Sequence, residues 1–298
     1  MLLVSGVELW QWRLAALQAA REAGIPVEEV DWLLQEVAGL EPLALRLGSF
    51  KDRAQIPLQM PLNSLSQLWQ QRLQERLPVQ YLVGVTHWRH FALTVAPAVL
   101  IPRQETECLI DLAVEAVSHS SNPQLDSGHW VDLGTGSGAI ALGLAEVLTK
   151  ATIHAVDCSP SALAIAQQNA QRLGYSPRIK FYQGSWWEPL KPLQGLCSGM
   201  VANPPYIPSN LLQQLQPEVV NHEPHLALDG GKDGLDCIRQ LVTTSADYLQ
   251  PGGIWLIEMM AGQAAAVVEL LKQQGSYTQI QIFPDLAGIE RFALAYRV

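Results

Sequence analysis

The hydrophobic positions of the first 78 residues recur at helical intervals. One predicted helix has an apolar face, and a second has apolar residues at i, i+3, i+4 and i+7; the two faces are Trp10, Leu14 and Leu17, and Val30, Leu33, Leu34 and Val37. A third predicted helix starts near Ser64 and ends before Pro78, because proline cannot continue a helix. We therefore expect residues 1–78 to form a small all-helical domain without a catalytic motif of its own.

From Tyr81 the pattern changes to short β-rich pieces with breakers, which predicts a β-hairpin linker over residues 79–103. Helices and apolar strands then alternate along residues 104–298. The predicted helices lie near 104–118, 138–149, 159–173, 235–249 and 262–274, and the strands are HWVDLG, TIHAVD, IKFYQG, MVANPP, GGIWLIEM, IQIF and FALAYRV. This alternation predicts a doubly wound, mostly parallel α/β sheet that binds ligands at the carboxyl ends of its strands. A short loop joins the last two strands, so we expect them to pair antiparallel.

Composition and charge exclude several classes of protein. The chain has 298 residues, of which 48% are hydrophobic, so it can bury the cores of two domains. No apolar run approaches the ~18 residues of a membrane span, and the N-terminus lacks a basic region, so we expect a cytoplasmic protein without a membrane partner. The net charge of −9 argues against a nucleic-acid partner. The cysteines have no CxxC spacing and the histidines no partner ligands, which predicts neither a disulfide framework nor a metal site.

A glycine-rich turn, VDLGTGSGAIAL (131–142), stands between a predicted strand and a predicted helix. Gly134, Gly136 and Gly138 lack a Cβ, so a ligand can approach the backbone closely at the start of the helix. Asp157 ends the next strand, nineteen residues after Gly138, where an acid can accept hydrogen bonds from both ribose hydroxyls. The same glycines with Ala139 also fit the loose GxGxxA dinucleotide pattern, so NAD stays open at this point.

Asp132 favours a different nucleotide. A carboxylate just before the glycine loop would repel a pyrophosphate, but it could pair, directly or through water, with the amino group of a methionine-type tail. The DLGTGSG form, followed by an acid at the end of the second strand, resembles class I S-adenosylmethionine-dependent methyltransferases. That resemblance implies S-adenosyl-L-methionine as the cofactor.

A stiff proline segment, NPPY (203–206), follows another predicted strand. Pro204 and Pro205 fix the backbone and remove N–H donors, so the Asn203 side-chain oxygen and the Pro204 carbonyl oxygen become fixed acceptors, with Tyr206 as a flat wall. Methyl transfer from a sulfonium is an in-line displacement that depends mainly on positioning. Two acceptors would hold the two hydrogens of a planar NH₂ group and stabilise positive charge as the methyl arrives. The segment therefore predicts an amide or adenine-type amino nitrogen as the methyl acceptor, without deciding between them.

Further motifs extend over nearly the whole chain. They are PVQYLVG (78–84), VLIPRQETE (99–107), DLGTGSGAIAL, AVDCSPSALAIAQQNA (155–170), NPPYIP, EPHLALDGGKDGL (223–235), PGG (251–253) and DLAG with an arginine at 291. Together they resemble the bacterial release-factor glutamine methyltransferase (PrmC/HemK) family. The resemblance implies a seven-stranded Rossmann-like methyltransferase sheet. It also implies methylation of the side-chain amide nitrogen (N5) of the glutamine in the Gly-Gly-Gln motif of class I peptide-chain release factors, with S-adenosyl-L-homocysteine as product.

The resemblance also implies roles for individual residues. The loop residues Gly134, Thr135, Gly136, Ser137 and Gly138 would line the methionine portion of the cofactor, Asp157 the ribose and Trp186 the adenine. The segment 203–206, with Asn203, Pro204, Pro205 and Tyr206, would hold the glutamine, and Asn203 would also contact the cofactor. The helical first domain would engage the release factor. Arg103 and Glu107 would close over the site or else form a surface ion pair. The chain departs from the family pattern at Gln104, Ser185 and Met260, where proline, an acid and glycine are usual.

Four other functions stay open on the sequence alone. A ribosomal-protein glutamine methyltransferase would share the proline segment. A DNA or RNA adenine amino-methyltransferase would need a basic region and base flipping, which the charge and the helical first domain do not supply. Asp132 disfavours an NAD-dependent oxidoreductase, and the intact NPPY disfavours a non-catalytic S-adenosylmethionine-binding module. We expect a monomer without metal whose partner is a release factor.

Overall fold

The computed structural model describes residues 2–120 and 122–298, and the chain divides into two compact units. The first unit comprises Met1–Gly84 together with Pro217–His222, and the second comprises Val85–Gln216 together with Glu223–Val298. A six-residue segment from the second half of the chain therefore belongs to the helical first unit.

The first unit is mainly helical. Its elements are β1 (Leu2–Val4), α1 (Gly6–Ala23), α2 (Glu28–Ala38), α3 (Pro42–Leu47), β2 (Ile56–Leu58), α4 (Leu62–Glu75), α5 (Val79–Val83) and, from later in the chain, α9 (Pro217–His222). β1 pairs antiparallel with β2, from Leu2 opposite Leu58 to Val4 opposite Ile56. A strand of three residues is too short to show an alternation of polar and apolar positions. The sequence therefore did not predict this pair.

The helix α1 begins at a capping box. The Ser5 hydroxyl accepts from the Glu8 N–H at 3.2 Å, and the Glu8 carboxylate accepts from the Ser5 N–H at 3.1 Å. The buried face of α1 contains Leu9, Ala16 and Ala20, whereas Leu14 of the predicted face is 49% exposed. The prediction of this face was wrong at Leu14, whereas Trp10 and Leu17 are partly buried and pack against the same core as Leu9, Ala16 and Ala20. The predicted face of α2 is buried throughout.

A buried arginine holds α9 in the first unit. Arg72 of α4 donates to both carboxylate oxygens of Glu29, at 2.6 and 2.9 Å, and to Glu218 of α9 at 2.8 Å. Arg76 also contacts Glu218 at 2.8 Å. The pKa of Glu218 lies below its usual value, because hydrogen bonds and the nearby arginines outweigh its burial. The short helix α9 is thus fixed by paired charges rather than by an apolar face.

The second unit has alternating strands and helices. Its elements are β3 (Val85–Trp88), β4 (Phe91–Thr94), α6 (Cys108–His119), β5 (His129–Leu133), α7 (Ala139–Val147), β6 (Thr152–Asp157), α8 (Pro160–Arg172), β7 (Ile179–Gln183), β8 (Cys197–Ala202), α10 (Asp236–Ser245), β9 (Leu249–Glu258), α11 (Ala264–Gln274), β10 (Tyr277–Pro284) and β11 (Glu290–Arg297). β3 and β4 form an antiparallel hairpin. No helix of the described residues is long and apolar enough to cross a membrane.

In the described residues, seven strands form one sheet in the order β10-β11-β9-β8-β5-β6-β7. The strands from β9 to β7 pair in parallel, and β11 pairs antiparallel with both β9 and β10. This confirms the predicted doubly wound, mostly parallel sheet and its antiparallel last pair. The chain order reverses between β5 and β8, and such a switch point opens a crevice at the carboxyl ends of the strands.

Helices cover both faces of the sheet. Residues of α6, α7 and α8 pack with Trp130 and Phe292 on one face, and residues of α10 and α11 pack with Trp255 on the other. Because both faces are covered, the central strands consist mostly of apolar residues. Polar residues that follow these strands, or stand at their last positions, are therefore left at the edge where ligands bind.

Candidate active site

A cavity of about 330 Å³ opens where β5, β6 and β8 end. Cavities of this size hold small organic ligands. Eight of the residues predicted for the site line it: Gly134, Thr135, Gly136, Ser137, Asp157, Trp186, Asn203 and Pro205. The wall also includes residues 98–100, Pro102 and Thr106 from the segment before α6. Asp132, Gly138, Pro204, Tyr206, Arg103 and Glu107 do not line it.

The glycine loop is tied to the end of β6. Gly134, Gly136 and Gly138 have φ angles of +80°, +54° and +85°, in the region that favours glycine. The N–H groups of Gly134 and Thr135 both donate to the Val156 carbonyl oxygen at 2.9 Å. Gly138 serves packing, because a Cβ there would lie 3.1 Å from the Cβ of Ala166. The loop is therefore fixed by its own backbone.

Asp132 lies fully buried behind this loop. One carboxylate oxygen, Oδ2, accepts from the Thr135 hydroxyl at 2.5 Å and from the Ala141 N–H at 2.9 Å. The other oxygen, Oδ1, is buried and has no hydrogen-bond partner in the described part of the chain. Burial, with a smaller contribution from the charge of Asp157, raises the pKa of Asp132 to about 7. A buried acceptor without a partner is costly, so this oxygen fits a cationic donor such as the amine of a methionine tail.

The carboxylate of Asp157 can accept further hydrogen bonds. Its Oδ2 accepts from the Gly136 N–H and its Oδ1 from the Ser159 N–H, each at 2.9 Å. A carboxylate oxygen can accept two hydrogen bonds, so each oxygen can also accept one from a ligand hydroxyl. The two oxygens thus suit the adjacent hydroxyls of a ribose.

Trp186 forms an aromatic wall of the cavity. Its φ angle is +50°, which a bulky residue rarely adopts, and its ring lies 3.7 Å from where a Cβ on Gly134 would stand. The half-buried indole suits stacking against a flat base. Ser185 also lines the cavity, and its N–H lies 3.5 Å from the Glu188 carboxylate.

Asn203 follows β8 directly and is held by Thr106. Its side-chain nitrogen Nδ2 donates to the Thr106 hydroxyl at 3.2 Å. In the described residues, neither the Asn203 Oδ1 nor the Pro204 carbonyl oxygen accepts a hydrogen bond. Both predicted acceptors of the proline segment therefore lack a partner in the described residues, and Asn203 also lines the cavity.

Two residues of this site, Thr106 and Glu258, were not predicted from the sequence. Glu258 ends β9 and is buried; it accepts from the Thr106 hydroxyl at 2.7 Å and from the Tyr206 hydroxyl at 3.0 Å. Burial raises the pKa of Glu258, and burial together with Glu258 raises that of Tyr206, which keeps the phenol neutral. The signal that could have found Glu258 is its position, since it ends the strand next to the one that carries Asn203.

The chain after the proline segment is anchored to the run 223–235. The Ile207 N–H donates to the Leu228 carbonyl at 3.0 Å, and the Gly230 N–H donates back to Ile207 at 2.9 Å. The buried side chain of Gln263 donates to the Tyr206 carbonyl at 3.1 Å. Backbone and side-chain bonds together fix the exit of the segment.

Arg103 and Glu107 stabilise the segment before α6 from outside the cavity. One guanidinium nitrogen of Arg103 lies 2.8 Å from both carboxylate oxygens of the buried Glu223. Burial raises the pKa of Glu223, and Arg103 partly offsets this effect. Glu107 accepts from the Arg89 N–H at 2.7 Å, in the turn between β3 and β4. In the described ranges, no group of three or more His, Cys, Asp or Glu residues could hold a metal ion.

Comparison with known proteins defines the class. Residues 125–196 match the family model of a methyltransferase domain. The catalytic domain of hMettl16, solved in complex with MAT2A 3′UTR hairpin 6, has a TM-score of 0.56 at 16% identity, covering 82% of this chain and 84% of that one. At this identity the likeness shows the fold alone. The chain is a methyltransferase with a Rossmann-like fold, a class that generally uses S-adenosylmethionine.

Relatives of much higher identity define the family. The release factor glutamine methyltransferase of Synechocystis sp. is 53% identical over 292 residues, covering 98% of this chain and 97% of that protein. Those of Thermosynechococcus vestitus and Gloeobacter violaceus are 48% and 45% identical, with 96% of each chain covered. The chain belongs to the release factor glutamine methyltransferase family. This confirms the resemblance drawn from its motifs.

Proposed function

We propose that this protein transfers a methyl group from S-adenosylmethionine to the side-chain amide nitrogen, N5, of the glutamine in the Gly-Gly-Gln motif of class I release factors. The observation that carries the proposal is the pair of uncommitted acceptors, Asn203 Oδ1 and the Pro204 carbonyl oxygen, beside a cavity built from the glycine loop and Asp157. The family of the chain supports a glutamine amide over an adenine amine as the group that they hold.

The residues present fit the cofactor. When bound, S-adenosylmethionine supplies the electrophilic methyl carbon on its sulfonium. Asp157 would accept from the ribose hydroxyls, and the Trp186 ring would pack on the adenine. Asp132, buried behind the loop, would attract the cationic amine directly or through water. The loop of Gly134 and Gly136 gives close backbone approach without a side chain in the way.

The proline segment orients the acceptor nitrogen. Asn203 Oδ1 and the Pro204 carbonyl oxygen each accept one hydrogen of the glutamine NH₂, which holds the nitrogen lone pair in one direction. The same oxygens stabilise the positive charge that develops on the nitrogen. Pro205 and Tyr206 border the carboxamide, and Glu258 anchors the Tyr206 hydroxyl at 3.0 Å. Arg103 and Glu107 act indirectly, by holding the segment that carries Thr106.

The helical region, residues 1–78, engages the release factor, and residues 104–298 transfer the methyl group. Of the predicted linker, 79–103, residues 79–83 form the helix α5 of the first unit, and the hairpin of β3 and β4 begins at Val85. The protein works as a monomer in the cytoplasm, where release factors are found, and needs neither metal nor nucleic acid. An excess of acidic residues, 28 against 19 basic ones, agrees with a protein partner rather than a nucleic-acid backbone.

Incubation with labelled S-adenosylmethionine tests the function. The purified protein is offered a class I release factor, ribosomal protein or DNA, and the label is mapped by mass spectrometry. We expect label only on the glutamine of the Gly-Gly-Gln motif, and none when that glutamine is replaced by alanine. Label on ribosomal protein or on DNA, with the release factor unmodified, would overturn the proposal.

A further inference from the structure

We propose that Thr106 and Glu258 set the direction of the Asn203 side-chain amide, and that this direction lets the site accept a glutamine and reject a glutamate. The inference rests on the proposed function, and it assigns the two residues as positioning residues that determine specificity. Neither belongs to the proline segment: Thr106 contacts Asn203 directly, and Glu258 acts on it through Thr106.

The buried carboxylate of Glu258 fixes two hydroxyl protons. Its side chain is 2% exposed, and each oxygen accepts one hydrogen bond: Oε2 from the Thr106 hydroxyl at 2.7 Å and Oε1 from the Tyr206 hydroxyl at 3.0 Å. A hydroxyl has a single proton to donate. The Thr106 proton is therefore committed to Glu258, and only its lone pairs remain for other partners.

The orientation of Asn203 follows from this commitment. Thr106 Oγ1 lies 3.2 Å from the Asn203 amide, and an oxygen with only lone pairs requires a donor at that distance. The NH₂ end of Asn203 satisfies it, whereas the reverse orientation would bring two acceptor oxygens together. Thr106 is 4% exposed, so water cannot easily substitute. The oxygen Oδ1 is left as the end that can meet the substrate.

This direction distinguishes two side chains of nearly identical shape. A glutamine brings an NH₂ group with two donors, which Asn203 Oδ1 and the Pro204 carbonyl oxygen accept. A glutamate at the same place brings two acceptor oxygens and a negative charge against those acceptors. Sites built to hydrogen-bond one group discriminate strongly against a mismatched one, because buried polar groups are left unpaired. The network thus disfavours binding of the deamidated substrate, in which glutamate replaces the glutamine.

Replacing Thr106 tests the inference. Thr106→Val keeps the shape but removes the acceptor, so Asn203 can turn its NH₂ toward the substrate; Thr106→Ser keeps the hydroxyl and is the matched control. Binding of release factors carrying Gln or Glu in the Gly-Gly-Gln motif is measured with S-adenosylhomocysteine present. We expect the wild type and Thr106→Ser to bind the Gln form at least ~10-fold more tightly than the Glu form, a preference that falls to within about twofold in Thr106→Val. Turnover of Thr106→Val should fall roughly 10- to 100-fold.

Two further measurements separate the possible failures. In labelled protein, the Asn203 NH₂ protons should show nuclear Overhauser contacts to the Thr106 side chain, which reports the amide direction without any substrate. Tyr206→Phe keeps the Thr106–Glu258 bond and should keep the preference for the Gln form, whereas Glu258→Gln should weaken it. If Thr106→Val binds S-adenosylhomocysteine normally and retains the full preference, the inference is overturned. If the wild type shows the Overhauser contacts but modifies no release factor, the proposed function fails while the amide direction stands.

Discussion

The backbone of Gly234 lies directly against the carbonyl oxygen of Tyr206: a Cβ at position 234 would stand 2.3 Å from that oxygen. Real Cβ atoms do not come so close, so only glycine fits here without moving the segment that carries Asn203. Gly230 is also packed against the segment, with its Cβ site 2.8 Å from the Tyr206 Cα. The glycine-rich run after the proline segment thus packs against that segment and helps to fix its backbone conformation.

Gly234→Ala should therefore impair catalysis more than its backbone strain explains. Gly174→Ala is the matched control, because Gly174 has a similar φ of +82° against +78° but has nothing within 4 Å of its Cβ site. Both variants should lose roughly 1–3 kcal/mol of unfolding free energy from the left-handed backbone. Only Gly234→Ala should also lower turnover, by about tenfold or more. Equal turnover in the two variants, measured beside urea unfolding, would contradict this account.

Asn203→Ala should abolish methyl transfer and leave cofactor binding within a few fold. The variant removes Oδ1, one of the two acceptors that we propose for the substrate NH₂, and loss of one such transition-state partner typically costs ~2.7–4 kcal/mol. Single-turnover transfer of label measures the first effect, and calorimetry with S-adenosylhomocysteine measures the second. Turnover near that of the wild type would show that this oxygen does not act in the reaction.

Asp157→Ala should weaken cofactor binding by roughly 1–3 kcal/mol, because it removes the bond to the Gly136 N–H and the bonds that we propose to the ribose. Asp157→Asn keeps one acceptor oxygen and should lose less. Calorimetry with S-adenosylmethionine compares the three proteins. Binding that is the same in all three would reject the ribose role.

Asp132 should make stability depend on pH. Burial raises its pKa from 3.8 to about 7, so between these values the folded protein holds a proton that the unfolded chain has released. The free energy of unfolding should therefore fall as the pH rises through this window, by roughly 1–4 kcal/mol in total. Asp132→Asn removes the titration and should flatten the slope. Urea unfolding at several pH values measures both, and parallel curves for the two proteins would contradict the raised pKa.

Arg103→Gln should destabilise the protein more than Glu223→Gln. The first variant leaves a carboxylate that is 2% exposed without its partner, whereas the second leaves an arginine that is 36% exposed and open to water. The loss of unfolding free energy in Arg103→Gln should become smaller as the pH falls, because Glu223, whose pKa is raised, then takes up a proton. Unfolding midpoints of both variants at neutral and acidic pH test which variant is less stable and how the difference depends on pH. A less stable Glu223→Gln would contradict the prediction.

The sequence predicts the sheet well because each strand and helix can be recognised from consecutive residues. Apolar strands bounded by glycine and helices at regular spacing appear in the order of the chain, and the glycine loop and Asp157 occupy fixed places in that order. The pairing of β1 with β2 was missed because each strand has three residues. The face of α1 was misjudged at Leu14, because the most buried positions of the helix are Leu9, Ala16 and Ala20.

The site was predictable only where its residues are consecutive or follow one motif. Thr106 and Glu258 are separated by 152 positions and meet because α6, which begins just after Thr106, packs against β9. No spacing rule within one segment reveals such a contact. Their role appears only when the strand order and the direction of each hydrogen bond are known.

The helix α9 limits how this chain can be recombined. Its six residues, Pro217–His222, belong to the first unit through Arg72, yet they are encoded between the two motifs that shape the methyl-acceptor site. Exchanging residues 1–84 with those of a relative would set a foreign helix surface against the resident Glu218. Residues 1–84 therefore cannot be exchanged as an independent module. A chimera keeps the ion pair between Arg72 and Glu218 only when residues 1–84 and 217–222 come from the same parent.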